Sequence, residues 1–472
     1  MGKKVFKPAV SDIDAGTHHE RLYDKALHPW RAKLRRSLIP LVRAETPHLA
    51  TMQRLVRTPL LDQYFLWTAN LGTHTFFMVS LPILVWFDTM SMAKSVACIA
   101  AFGVFLSGFV KDFMCLPRPL SPPVHRLSMS KSTSLEYGFP STHSTNSISV
   151  ALFVVAVTCE SVSPEARALI KLGAIVYAGS VVMGRIYCGM HTFTDVVGGS
   201  ILAYILYWFQ WTFKDQFDGL FTAETIIPTL IAAAICLALV GLHPDPIERC
   251  PCFEDSVCFM GVLVGVFPGG WLCAHSDYCT MGQQTLALVH SSAPVAVAIV
   301  LAKLVLGVAS LFLWRIACKR VCYFILPPIY RAFNLPHRKF EIGARAYKSL
   351  NRESIHPIPS VLDLHDLSVK HAEHVGIQSS IDLHEKRAYD KVQYRGTNAD
   401  GEEGGCGGNC NERLHNGRHT KDVYDPTTEL VAEDAPLRYD VDIVTKLIVY
   451  AGIGCLAVFG VPLMFQFCGL SS

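Results

Sequence analysis

Three short polar segments contain residue types that suit phosphate chemistry. They are residues 111–119 (KDFMCLPRP), 138–144 (GFPSTHS) and 184–195 (GRIYCGMHTFTD). Six of their residues form the candidate set, namely three cationic side chains, two histidines and the carboxylate that follows the second histidine: Lys111, Arg118, Arg185, His143, His191 and Asp195. A phosphate dianion needs several cationic or N–H donors, and an arginine can bind it through two parallel hydrogen bonds. We therefore interpret the three cations as a candidate phosphate-binding set.

The second segment adds donors without adding charge. Ser141 lies where an apolar helix is predicted to begin, and the first N–H groups of a helix point at bound anions. We expect the Ser141 side chain and the backbone N–H groups of Ser141, Thr142 and His143 to contact the phosphate. A cap for the helix is the simpler interpretation of such a serine taken alone.

The two histidines suit the remaining steps of a hydrolysis. His191 precedes Asp195 by four positions, which fits a nucleophile whose second ring nitrogen is held by a carboxylate. His143 would then protonate the leaving oxygen, because histidine titrates near neutral pH. Each feature alone has a plainer explanation, as a membrane-interface anchor, a structural histidine or a hydrogen bond on a helix surface.

The composition indicates the class of protein in which these residues lie. Of 472 residues, 51% are hydrophobic and only 17% are charged, and the mean hydropathy is +0.31. This is too apolar for a water-exposed globule, a disordered chain or a collagen-like protein. The 16 cysteines lie mostly in apolar runs, which argues against a secreted disulfide scaffold. A net charge of +3 predicts no nucleic-acid partner; the partner expected is the lipid bilayer.

The predicted fold class is all-α, a polytopic membrane protein with about eight to ten transmembrane helices. Apolar runs of spanning length lie near residues 67–87, 94–110, 143–160, 169–187, 194–213, 225–243, 256–274, 292–316 and 441–467. The first residues lack the apolar core of a cleavable signal peptide, so we expect the first spanning helix to direct insertion.

Topology brings the three segments together. The first ends the second predicted helix and the second opens the third helix, so no crossing separates them. Helices three and four then return the chain to the same face, where the third segment begins. All three are therefore predicted to share one side of the membrane.

The chain divides into five predicted parts. These are a polar, basic segment (1–58), a core with the three motifs (59–215), additional transmembrane helices (216–317), a polar and partly disordered loop (318–440), and a final helix with the C-terminus (441–472). Within the loop, residues 321–333 (VCYFILPPIYRAF) predict a short amphipathic piece at the interface. Cys406, Cys410, His415 and His419 have metal-ligand types, but their Gly-rich surroundings favour a solvated loop over a zinc site.

The three motifs in this order resemble the type 2 phosphatidic acid phosphatase superfamily, which shares its core with vanadium haloperoxidases. The resemblance covers roughly residues 60–215. It implies a phosphomonoesterase that needs no metal or other cofactor and works through a phosphohistidine. His191 would be the nucleophile, Asp195 its orienting partner and His143 the acid, with the phosphate held by Lys111, Arg118, Ser141, Thr142 and Arg185. The sequence departs from the family pattern at Thr142, usually glycine, and at Gly184, often serine.

Three further segments narrow the resemblance. TANLGTHTFF (68–77), YGFPSTHSTNS (137–147) and RIYCGMHTFTDVVGG (185–199) are similar to the fungal sphingoid long-chain base 1-phosphate phosphatases. This implies an endoplasmic-reticulum membrane enzyme that releases a free long-chain base and phosphate. Two alternatives stay open: a broader phosphatase for phosphatidate or lysophosphatidate, and a transporter or non-catalytic scaffold on the same fold. Motifs at helix ends favour a lipid substrate, whose tail can stay in hydrocarbon.

The absolute orientation stays open. The resemblance implies a lumenal active site, whereas the basic N-terminal segment predicts a cytoplasmic N-terminus and places the motifs on that same cytoplasmic face. Either the N-terminus is translocated or a further early helix exists, for example within residues 60–67.

Overall fold

The all-α class is confirmed in every part of the chain that can be described. The computed structural model describes residues 14–87, 90–128, 135–159, 162–245, 247, 250–276, 293–333 and 439–470. All regular secondary structure in these ranges is helical. The predicted loop residues 334–438, and with them Cys406, Cys410, His415 and His419, lie outside the described ranges.

Fourteen α-helices lie in the described ranges. In chain order they are α1 (Glu20–Ala26), α2 (Pro29–Val56), α3 (Pro59–Ala69), α4 (His74–Phe87), α5 (Met90–Met114), α6 (Thr142–Cys159), α7 (Pro164–Tyr187), α8 (Phe193–Thr212), α9 (Lys214–Thr222), α10 (Ile227–Leu242), α11 (Cys252–Ala274), α12 (Ala293–Ala332), α13 (Val441–Cys455) and α14 (Val461–Phe467). A 3₁₀ turn (Asn70–Gly72) links α3 to α4, and a π turn (Leu456–Gly460) links α13 to α14.

The number of membrane spans reaches only the lower end of the prediction. Within the described ranges, 6 helices are long and apolar enough to cross a bilayer, or up to 8 if each of two bent pairs counts as one span. The bent pairs are α3 with α4, at 58°, and α8 with α9, at 55°. The predicted span at 225–243 is represented by α10, which has only 16 residues. Residues 60–67, where the sequence analysis allowed for a further early helix, lie in α3.

The boundary predicted at residue 318 is wrong. Instead of a loop with a separate interfacial piece, α12 continues without interruption from Ala293 to Ala332. Pro327 and Pro328 both lie inside the helix. Long apolar helices tolerate proline where neighbouring groups satisfy the freed carbonyls.

The four helices α5 to α8 position the candidate site. The ends of α5 and α7 and the starts of α6 and α8 carry the polar segments. The start of α6 packs closely against α8: Thr145 Oγ1 donates to the Gly199 carbonyl at 3.1 Å, and a Cβ at Gly199 would lie only 2.6 Å from the Ser141 carbonyl oxygen. Small residues at such contacts allow two helix backbones to approach closely.

The basic N-terminal segment has a structural role at the end of α5. Arg31 Nη2 donates to the Phe113 carbonyl at 2.8 Å, and Arg35 Nε donates to the Cys115 carbonyl at 3.0 Å. Phe113 lies in the last turn of α5 and Cys115 directly follows the helix, and carbonyls at a helix end need partners outside it. The two arginines are therefore fixed by the fold, which weakens the inference of membrane orientation from N-terminal charge alone.

A second close contact joins α11 to α13. A Cβ at Gly265 would lie 1.8 Å from the Ala451 carbonyl oxygen, and one at Gly454 would lie 2.2 Å from the Val262 carbonyl oxygen. On its other side, α11 packs against α5 through a buried cluster that includes Val104, Phe105, Val257, Met260 and Leu263. The α11–α13 contact thus holds the last described helices against the helix that carries the first motif.

We expect Gly265→Ala to destabilise the protein. The added methyl group overlaps the Ala451 carbonyl, so α11 and α13 must separate, at a cost of about 1–3 kcal/mol. The measurement is thermal unfolding of the detergent-solubilised protein. Gly179→Ala on α7 is the matched control, because its Cβ meets nothing within 4 Å. Equal unfolding temperatures for the two variants would contradict this packing.

Candidate active site

Arg118 is the residue at which the three polar segments meet. Its side chain is 1% exposed, and Nη1 donates to the Met190 carbonyl at 2.7 Å and lies 3.2 Å from His191 Nε2. Nε donates to the Glu136 carbonyl at 2.8 Å and Nη2 to the Glu136 carboxylate at 2.5 Å. One guanidinium therefore links the first segment to the third and to the residues just before the second.

Backbone hydrogen bonds fix the segments to one another. Gly138 N–H donates to the Leu116 carbonyl at 2.8 Å, and Ser141 N–H donates to the Asp195 carbonyl at 3.0 Å. The three segments therefore lie together on one side of the helices, in agreement with the topological argument. The backbone N–H of Ser141, one of the predicted phosphate donors, is used inside the protein instead.

The hydroxyl groups of the second segment have different surroundings. Ser141 Oγ accepts from the Ser144 backbone N–H at 3.4 Å and from Ser144 Oγ at 3.0 Å, so its own proton can point to a ligand. Thr142 Oγ1 accepts a hydrogen bond from Ser107 Oγ at 2.9 Å. The hydroxyl proton of Thr142 therefore also stays available to a ligand, in addition to the backbone N–H of Thr142 at the start of α6.

His143 lies against the 3₁₀ turn that precedes α4. A Cβ at Gly72 would lie 2.8 Å from Cδ2 of the His143 ring, so glycine is needed here for the ring to lie where it does. His143 is partly exposed, whereas His191 is 1% exposed. Of the two histidines, His143 is the one with access to the outside of the site.

The third segment combines a buried cation with a helix cap. Arg185 is buried at the end of α7, and its Nε has no hydrogen-bond partner within the described ranges. At the start of α8, Thr192 Oγ1 accepts from Asp195 N–H at 3.1 Å while Asp195 Oδ2 accepts from Thr192 N–H at 2.8 Å. This reciprocal cap fixes Asp195 and hence the residues beside it.

The surroundings of His191 specify which ring nitrogen is free to react. Arg118 can only donate, so Nε2 must be the accepting nitrogen. The proton of the neutral ring then lies on Nδ1, which is 3.4 Å from Asp195 Oδ2. Burial, and then the charges of Arg118 and Arg185, lower the pKa of His191 well below its ordinary value. At neutral pH the ring is therefore uncharged, with the Nε2 lone pair directed to the guanidinium that would hold a phosphate.

Glu136 is the site residue that sequence reasoning missed. Its carboxylate contacts Lys111 Nζ at 2.6 Å as well as Arg118. Burial alone would raise the pKa of Glu136, but Lys111 and Arg118 hold it well below its ordinary value, so the group is charged. The available signal was an acidic residue two positions before Gly138, beside two cations predicted on the same face.

Two supporting side chains from α2 were also missed. Gln53 Nε2 donates to the Tyr187 and His125 carbonyls, each at 2.9 Å. Glu45 accepts hydrogen bonds from the backbone and hydroxyl of Thr194, next to Asp195. Both lie in a helix whose sequence reads as an ordinary polar segment, so no local pattern indicates their contacts.

The described residues offer little for a metal ion near the phosphate-binding cations. One group of three potential ligands was found in these ranges: Asp112, Cys250 and Cys252. Cys250 and Cys252 are joined in a disulfide, and a disulfide lacks the thiolate that binds metals. The site itself presents cations, histidines and carboxylates.

Comparison with known proteins identifies the family of this chain. The PAP2 superfamily model matches residues 92–218, which include all three segments. A dihydrosphingosine 1-phosphate phosphatase of Schizosaccharomyces pombe is 35% identical over 71% of this chain and 82% of its own length. One of Saccharomyces cerevisiae is 31% identical over 67% and 78%, and the lipid phosphate phosphatase delta of Arabidopsis thaliana is 24% identical over 67% and 76%.

No solved structure matches the chain significantly. The family model and the extent of the fungal similarity, together with the meeting of the three motifs around Arg118, place this chain in the PAP2 superfamily.

Proposed function

We propose that this protein is a membrane phosphatase that hydrolyses sphingoid base 1-phosphates to free long-chain base and phosphate. The substrates are dihydrosphingosine, phytosphingosine and sphingosine 1-phosphates. The observation that carries the proposal is the contact of Arg118 with His191 Nε2 inside a buried group of cations, in a chain similar to two fungal phosphatases named for dihydrosphingosine 1-phosphate. The proposed location is the endoplasmic-reticulum membrane with a lumenal site, which rests on the family resemblance.

The proposed binding step uses the buried positive charge. Lys111, Arg118 and Arg185 hold the phosphate oxygens, joined by the Ser141 hydroxyl and the Thr142 backbone N–H. The Nε group of Arg185, which has no partner among the described residues, supports a bound anion, because an unsatisfied buried donor is costly. The lipid tail stays in the bilayer.

The proposed chemistry passes through a phosphohistidine. His191 Nε2 attacks phosphorus, the ester P–O bond breaks, and His143 gives its proton to the leaving oxygen. The ring of His191 gains positive charge in this step, which the nearby Asp195 carboxylate stabilises. A water molecule then attacks phosphorus, the N–P bond breaks, and His143 takes a proton from that water.

A broader lipid phosphate phosphatase is the second candidate. The similarity to the lipid phosphate phosphatase of Arabidopsis thaliana favours it, and the phosphate-binding groups do not themselves recognise the alcohol. The two candidates differ in the expected rate with phosphatidate, which lacks the free amine of the sphingoid head.

Phosphate release by the purified protein in detergent tests the reaction. With EDTA present, we expect faster release from dihydrosphingosine 1-phosphate than from phosphatidate. His191→Ala should lower both rates by roughly a thousandfold or more, because the nucleophile is lost. His275→Ala, at an exposed ring beyond α11, is the matched control. Activity that requires a metal, or a His191→Ala variant with normal rates, would contradict the mechanism; equal turnover of both lipids would favour the second candidate.

The loss of rate on removal of the proposed acid, His143, should depend on the leaving group of the substrate. We expect His143→Ala to slow lipid substrates by about 10²–10⁴-fold, since an alkoxide leaves poorly without a proton. The loss should be much smaller with nitrophenyl phosphate, whose leaving group is stable as an anion. The measurement is kcat for both substrates, and equal losses would exclude this role.

Gly72→Ala examines the same step without removal of the ring. The new methyl group would press on His143, so the lipid rate should fall more than the nitrophenyl phosphate rate. Gly173→Ala on α7, where a Cβ meets nothing within 4 Å, is the control and should leave both rates unchanged.

The lowered pKa of His191 has a consequence for the pH profile. The uncharged ring is the nucleophile and predominates above its pKa, so a lowered pKa extends activity toward acid. The measurement is kcat/KM against pH, corrected for the phosphate group of the substrate, which is titrated separately. We expect the apparent pKa on the acid side of this profile to lie below the ordinary histidine value of about 6.5. A corrected limb at or above that value would show that the free enzyme holds His191 differently.

A further inference from the structure

The carboxylate of Glu136 binds the cations as a phosphate would. Its two oxygens contact separate donors, Oε1 with Lys111 Nζ at 2.6 Å and Oε2 with Arg118 Nη2 at 2.5 Å. A phosphate oxygen would use these same two N–H groups. The carboxylate and a substrate phosphate therefore compete for one place, and the carboxylate must move when the substrate binds.

The exposure of these groups indicates where the carboxylate lies. The side chain of Glu136 is 22% exposed, whereas those of Lys111 and Arg118 are 2% and 1% exposed. Glu136 thus lies on the outer side of the cations, toward the entrance of the site. A substrate whose phosphate reaches the cations must place the alcohol part of its ester on this outer side.

The displaced carboxylate cannot move far. Arg118 Nε holds the Glu136 backbone carbonyl at 2.8 Å, and the next residue, Tyr137, is completely buried. Only the side-chain torsions of Glu136 are free to change. After displacement, a negative charge remains at the rim, close to a phosphate that is itself negative, and a nearby cation would offset this repulsion.

The first carbons of a sphingoid base 1-phosphate carry such a cation. Its ammonium group is on carbon 2, one carbon from the ester oxygen, and would lie at the outer side of the bound phosphate. Phosphatidate and simple alkyl phosphates have no positive group at this position, so they would leave the carboxylate unpaired next to the phosphate, which is unfavourable in a buried site.

We propose that Glu136 is a specificity-determining residue: its carboxylate, displaced from Lys111 and Arg118 by the substrate phosphate, pairs with the ammonium group on carbon 2 of the sphingoid base. This inference rests on the proposed function and adds to it the group that recognises the amine. It also gives Glu136 a role in the free enzyme, where it pairs with two buried cations and offsets part of their charge until the substrate replaces it.

The test compares two substrates that differ in the amine. We would measure kcat/KM for dihydrosphingosine 1-phosphate and for octadecyl phosphate, which has a similar chain and no amine. Glu136→Gln keeps the shape and an oxygen for Lys111 while it removes the charge. The preference is the ratio of kcat/KM for the amine substrate to kcat/KM for octadecyl phosphate. We expect this ratio to be about tenfold or more lower in Glu136→Gln than in the wild type, mostly because kcat/KM for the amine substrate falls.

Two variants and one binding measurement serve as controls. Glu254→Gln removes a carboxylate that pairs with Lys446 between α11 and α13, and it should leave the preference unchanged. Glu136→Asp restores the charge and should retain part of the preference. Protection of Glu136→Gln against thermal unfolding by inorganic phosphate shows that its cation site is folded.

The outcomes separate this inference from the proposed function. If the wild type prefers the amine substrate and Glu136→Gln retains that preference, Glu136 is only a counter-ion and the inference is wrong, while the function stands. Equal changes for both substrates lead to the same conclusion. If the wild type shows no preference, the sphingoid assignment fails, and if it releases phosphate from neither substrate, the phosphatase assignment fails as well.

Discussion

The burial of the Arg118 guanidinium is the constraint on which the site depends. A buried charge is tolerated only when hydrogen bonds and opposite charge surround it. Here the partners come from three places in the sequence: the Met190 carbonyl, His191 Nε2, and both the backbone and the carboxylate of Glu136. The polar segments must therefore converge for Arg118 to be satisfied. The close contact of α6 with α8 brings the second and third segments near each other. The reciprocal cap formed by Thr192 and Asp195 then fixes the third segment in place.

The same cations also set the state of the two groups that an incoming phosphate would meet. Burial together with these cations lowers the pKa of His191, which keeps its Nε2 lone pair available, and the cations keep Glu136 ionised. In the free site the Glu136 carboxylate thus offsets part of the charge of the three cations. An incoming phosphate replaces one anion by another, so Lys111 and Arg118 have a negative partner in both states. We regard this exchange as the reason that so much positive charge can be buried at the end of a membrane helix.

The sequence predicts the residues that carry the chemistry of this site better than it predicts the residues that hold them in place. Residue types and order were sufficient to predict that Lys111, Arg118, Arg185 and the two histidines belong together, because helix ends on one face must meet. Glu136 and Gln53 could not be predicted in the same way, since their roles depend on side-chain contacts between distant segments. The N-terminal arginines were interpreted as topological charge, yet Arg31 and Arg35 bind the last carbonyls of α5. The length of α12 was underestimated because residues 321–333 were interpreted as a separate amphipathic piece, whereas the helix continues to Ala332.

The division between inner and outer groups bears on how one set of motifs can serve different substrates. The groups proposed to hold and attack the phosphate lie inside, and they contact only atoms that every phosphate monoester has. Discrimination between alcohols must then come from residues at the rim, outside the motif residues themselves. Glu136 lies at this rim and His143 is the more exposed of the two histidines. A change of charge at the rim would therefore alter the preferred alcohol while the inner chemistry stays the same, which is consistent with similarity both to sphingoid base phosphate phosphatases and to a general lipid phosphate phosphatase.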